Sequence, residues 1–197
     1  MAACPRDPRL ELTPDQQAVV TAAERYAVAL GKSDYEGMWN LLSPSSQEWV
    51  VRNLEGEGGV RMTIALKTKE LETNALAGKE KAEAEAYLAR MPKAPELKEM
   101  TGKDYYIWQL KRTVTDAQRA ETARLFNFSN VREVVVPANS DMATLVLKAG
   151  DPDRYTFVRA RDGWKLELPQ KRLLDLDAAR MKEVDAIPKK EHDESRD

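Results

Sequence analysis

Along the first two-thirds of the chain apolar residues recur every three or four positions, and along the last third they alternate. The first pattern predicts helices and the second predicts strands. TPDQQAVVTAAERYAVALG, residues 13–31, carries complete helix signals. Thr13 caps, Pro14 fits the first helical position, and Gln16 completes a capping box. Val19, Ala22, Ala23, Tyr26, Ala27 and Leu30 share one face, and Gly31 supplies the stop. SDYEGMWNLLS repeats the capping logic with Ser33 and Glu36 and offers Tyr35, Met38, Trp39 and Leu42 to a core. Ser43 and Pro44 restart the pattern for SPSSQEWVVRNLEG, which GEGG then breaks.

Residues 60–90 are rich in Ala, Lys, Glu and Leu, strong helix formers, with Gly78 as the break between two helices. MPKAPE is a loop or a helix start, because proline is excluded from a helix interior. DYYIWQLKR packs three aromatics into four residues, which predicts a helix buried on more than one side. Thr115 and Gln118 form another capping box, opening TDAQRAETARLF.

The period then changes to two. VREVVV, DMATLVLKAG, DRYTFVRA and GWKLELP read as four strands separated by PANSD, GDPD and RDG, the last a hairpin signal. Tyr155, Phe157, Trp164, Leu166 and Leu168 put an apolar face on the sheet that helices must cover. The fold class is therefore α+β: N-terminal helices packed on a curved antiparallel sheet of about four strands, with further helices in the middle and at the C-terminus. PQKRLLDLDAARMKEVDA reads as a closing helix. The domain plan is a flexible tether over 1–12, one α+β domain over 13–187 with a helical insertion at about 60–126, and a disordered charged tail over 188–197.

Composition narrows the chemistry. The 31 Lys and Arg against 33 Asp and Glu are interleaved, with a net charge of -2. A nucleic-acid groove needs a concentrated basic face, so no nucleic-acid partner is expected. One cysteine excludes an internal disulfide framework and a thiolate metal cage. The single histidine, His192, lies in the charged tail IPKKEHDESRD, which argues against histidine-based catalysis and multi-histidine metal sites. No cofactor and no metal are expected. GKS at 31–33 fails as a phosphate loop, because the required first glycine falls at Tyr26 and a helix precedes it. GEGG reads as a flexible linker, and KEKAEAEAYLAR as a solvated helix face or, in a second reading, a docking surface for a partner.

GKSDYEGMWNLLSP after the first helix, and the hairpin YTFVRARDGWKLELP near the other end, together resemble the nuclear transport factor two-like superfamily, whose cone-shaped fold also holds ketosteroid isomerase. The two stretches, with the first helix, cover about a third of the chain. Residues 45–130 hold more helix than compact members use. The resemblance implies a cone with an open end. Tyr26, Trp39, Tyr106, Trp108, Phe157 and Trp164 would line or plug it, suiting an apolar ligand with one polar handle. The competing expectation is that these six are core. The resemblance also implies, as one alternative, pairing of sheet faces in a homodimer.

Many extracytoplasmic bacterial members of that superfamily are lipoproteins. Ala2-Ala3-Cys4 matches the end of a lipobox, with Cys4 as the lipidated residue and Pro5 to Glu11 as a short tether. That places the chain in the bacterial cell envelope, as a periplasmic or outer-membrane lipoprotein touching the membrane through the lipid only. An unmodified Cys4 makes it cytoplasmic instead. Two functions stay open. The first is a non-catalytic accessory domain that binds a protein partner or a small apolar ligand. The second is a soluble isomerase- or dehydratase-type enzyme in which Asp34 with Tyr35, or Asp104 with Tyr105 and Tyr106, supply base and oxyanion donors. Both aspartates also sit where a helix-capping carboxylate belongs.

Overall fold

A computed structural model describes residues 11–149 and 154–169. Cys4, the GDPD turn, the closing helix expected over 169–186 apart from its first residue Pro169, and the tail lie outside the described residues. The fold is α+β. Helices α1 (Pro14–Gly31), α2 (Tyr35–Asn40), α3 (Pro44–Glu55), α4 (Val60–Glu72), α5 (Gly78–Arg90), α6 (Ala94–Glu99), α7 (Gly102–Thr113) and α8 (Asp116–Leu125) precede four strands. The strands are β1 (Val131–Val135), β2 (Met142–Leu147), β3 (Arg154–Ala160) and β4 (Gly163–Glu167), a wholly antiparallel meander in the order β1-β2-β3-β4.

Local chemistry sets these boundaries. Thr13 and Gln16 form the capping box of α1, Ser43 accepts the Ser46 N–H at the start of α3, and Thr115 and Gln118 box α8. α2 differs from expectation: Ser33 takes a positive φ of 57°, and Asp34 is the cap, accepting from the Gly37 N–H. Thr101 and Asp104 box α7 in the same way. The break between α4 and α5 spans residues 73–77, with Gly78 at φ +54° as the first residue of α5. Gly163 at φ +118° turns the β3–β4 hairpin.

The helix-side face of the sheet carries Val134, Ala143, Leu145, Leu147, Phe157, Trp164 and Leu166, which join one core with the buried face of α1. α1 lies between α8 and the sheet, and α7 packs against α2 and α3. The free edge of β4 is closed by residues 41–43. Leu166 N–H donates to the Leu41 carbonyl (2.9 Å) and Ser43 N–H to the Leu166 carbonyl (2.8 Å), making a parallel bridge. Fully buried Ser43 and Ser46 secure it. The Ser43 and Ser45 hydroxyls donate to the Glu167 carboxylate, and Ser46 Oγ accepts the Leu168 N–H at 2.8 Å. At the other edge, the Gln16 side chain donates to the Val134 carbonyl (2.8 Å).

Candidate functional site

The six aromatics expected around a cone mouth occupy three places. Tyr26, Trp39 and Tyr106 form one cluster: the two phenol oxygens lie 3.5 Å apart and the Trp39 ring centroid 5.6 Å from that of Tyr106. Phe126 continues it, packing edge-on to Tyr26 and against Tyr155. Burial disfavours the phenolate, raising the Tyr26 pKa and pushing that of Tyr106 well above the usual tyrosine value. Trp108 stacks on Tyr105 at the other side of α7's sequence register and carries the Arg112 guanidinium 5.2 Å from its ring. Phe157 is fully buried in the sheet core, and Trp164 lies buried beneath Arg159. These side chains fill space against one another.

The two candidate catalytic carboxylates are exposed helix caps. Asp34 accepts from Gly37 N–H at 2.8 Å. Asp104 accepts from the Thr101 hydroxyl (2.6 Å) and backbone N–H (2.9 Å), and these bonds hold its pKa below the usual aspartate value. Their neighbours are also engaged. Tyr35 Oη accepts from Arg119, which pairs with Asp116, and Tyr105 Oη accepts from Gln109 Nε2 at 3.0 Å.

A concavity opens elsewhere, where the start of α1, the β1–β2 loop and the end of β3 meet. It is an open cleft of about 490 Å³ bordered by Thr13, Asp15, residues 136–141 and Arg159. Arg159 organises it. Its Nη2 donates to Asp15 Oδ2 at 2.7 Å, its Nε lies 3.8 Å from Asp141, and its guanidinium sits 4.5 Å from the Trp164 ring centroid. The Arg159 hydrogen bond is the main cause that lowers the Asp15 pKa, and it raises that of Arg159 in turn. The buried Trp164 indole N–H adds to the lowering of Asp15 from nearby without reaching a hydrogen-bonding geometry. Asn139, at φ 56°, shapes the loop that forms the far wall.

Of the site residues expected from sequence, only Trp164 reaches this cleft's surroundings, through the Arg159 guanidinium above its ring. Asp15, Asp141 and Arg159 were not among them. Asp15 has the sequence signature of a first-turn acidic residue and nothing more, and its partner stands 144 positions away. Among the described residues no group of three His, Cys, Asp or Glu is placed to hold a metal ion, and no helix is long and apolar enough to cross a membrane. Comparison with known protein families, with curated proteins and with solved structures returned no match.

Proposed function

We propose that this chain is a non-catalytic accessory domain of the bacterial envelope, of the nuclear transport factor two-like kind, anchored by a lipid on Cys4 and engaging a protein partner. The observation that carries this reading is the state of its carboxylates. A general base working at neutral pH needs a carboxylate whose pKa burial has raised. Among the described residues, the carboxylates with a resolved shift are Asp15, Asp104, Glu121 and Asp162. All four are lowered by donors beside them. The aromatic packing favours a protein over a small apolar ligand. Met62 and Leu66, one turn apart on α4 and 54% and 53% exposed, offer such a partner apolar contact. Eight residues separate Cys4 from Thr13, a reach of at most about 30 Å from a lipid surface.

A soluble isomerase or dehydratase is the second reading. The buried Tyr26–Tyr106 hydroxyl pair favours it, as such donors serve an oxyanion, whereas the candidate bases Asp34 and Asp104 are held as exposed helix caps. The deciding experiment is intact mass and membrane fractionation of protein expressed from the native gene with its upstream codons. A lipid-sized mass increase on Cys4 in the membrane fraction is expected. An unmodified soluble product overturns the anchored reading and makes Asp34→Asn and Asp104→Asn the next variants.

A further inference from the structure

The polar groups of the cleft at the start of α1 are only partly used by one another. Arg159 donates from Nη2 to Asp15 Oδ2, and its Nη1 donates to no described residue. Its Nε stays 3.8 Å from Asp141, too far for a hydrogen bond, and the Asp141 side chain is 82% exposed. At the tip of the loop, the exposed Asn139 side-chain amide bonds to no described residue. Beneath Arg159 lies Trp164, 5% exposed, whose indole N–H has no acceptor and sits beside the Asp15 carboxylate. A buried donor in that state calls for an explanation. Unused donors and unused acceptors therefore stand side by side, and Pro137 and Ala138 give the same cleft a short apolar wall.

We propose that this cleft binds a carbohydrate, whose neighbouring hydroxyls donate to Asp141 and accept from Arg159 and Asn139 while a C–H face of the ring lies on Pro137 and Ala138. Charge selects a neutral ligand. Among the described residues bordering the cleft, Arg159 is the cation and Asp15 and Asp141 are the anions. A carboxylate or phosphate gains Arg159 but meets two carboxylates. An ammonium gains Asp141 but meets the guanidinium held 3.8 Å from it. A hydroxyl carries one donor and two acceptor lone pairs on a single atom, so it faces either group without repulsion. A peptide takes its affinity from a sheet edge or side-chain pockets. Neither is offered here, since β3 is paired on both sides and the far wall is a turn. The volume of about 490 Å³ suits a small ligand, and the open side lets a free sugar or the end of a glycan chain reach the same groups. When a hydroxyl takes over the Arg159 hydrogen bond, Asp15 turns onto the Trp164 N–H, and the buried donor gains its acceptor.

The test is a titration of the full chain, followed in the indole N–H region of its proton–nitrogen NMR spectrum, where four tryptophans give four signals. The probes are glucose, galactose, mannose and N-acetylglucosamine, with maltotriose and chitotriose as chain forms. At least one should move the Trp164 signal downfield and saturably, leaving those of Trp39, Trp49 and Trp108 in place. Asp141→Ala should raise the dissociation constant at least about tenfold, the loss of a hydrogen bond to a charged group, with the thermal midpoint unchanged. Tighter binding of a trisaccharide marks a glycan chain as the source, and equal binding a free sugar; both support the proposal. No saturable shift with any of these sugars overturns it, as does an affinity that Asp141→Ala leaves untouched. A saturable Trp164 shift with methylammonium, acetate or N-methylacetamide and none with the sugars assigns the cleft to a charged or peptide group and overturns it as well.

Discussion

Ser46 is a small residue with a large structural role. Its buried Oγ accepts the Leu168 N–H at 2.8 Å and lies within hydrogen-bonding distance, 2.8 Å, of the Ser43 hydroxyl. Ser46→Ala strands the Leu168 N–H in the interior, at a cost of about 1–3 kcal/mol. The urea midpoint should fall with the slope unchanged, since the surface exposed on unfolding stays the same. Asp15 acts through charge instead. Its pKa lies below the usual 3.8 because Arg159 holds the ionised form, so the contribution is complete at neutral pH and lost as pH falls through the depressed value. Asp15→Asn should therefore be slightly less stable than the parent at pH 7, and the two should converge in acid well below pH 3.8. Urea unfolding across an acid series reads the convergence. Both surfaces are partly open, which keeps the effect small.

At the scale of elements, α7 meets α3 at a glycine. A Cβ on Gly102 would lie 2.5 Å from Val51 Cγ2 and 3.3 Å from its Cα, closer than the helices allow. Gly102→Ala should destabilise by about 1–3 kcal/mol, and Val51→Ala in the same chain should recover part of the loss, a coupling read by a double-mutant cycle. Gly102 also shows why some elements were legible in the sequence. Caps act over three residues, so Thr13 with Gln16 and Thr115 with Gln118 were visible as spacings, and strand alternation is equally local. The cap of α2 was displaced by one because Ser33 and Asp34 are both good caps. Backbone geometry, with Ser33 at φ 57°, selects between them. The cleft was not legible. Asp15 and Arg159 lie 144 positions apart, and Ser43 and Glu167 lie 124 apart, so no spacing rule connects them. Aromatic residues at helical spacing read alike whether they line a pocket or fill a core.

Across the whole molecule, the buried phenols tie stability to alkaline pH. In the unfolded chain tyrosine ionises near 10, whereas folded Tyr106 keeps its proton well above that, so folding loses ground as pH passes 10. Tyr106→Phe should flatten this decline, seen as thermal midpoints that fall less than the parent's between about pH 9 and 11. The residual slope belongs to Tyr26, whose pKa is raised by the same burial. The parallel bridge from residues 41–43 to β4 has a consequence of another kind. The short helices α2 and α3 meet there at a joint whose other half is the last strand of the sheet, more than 120 positions later in the chain. A chain emerging from the ribosome can wind those helices early, but it has nothing to fasten them to until the final hairpin has been made. Such distant closure is what slows folding. The fold should therefore be completed only after synthesis of its own last strand, with both ends of the domain locking in a single late step.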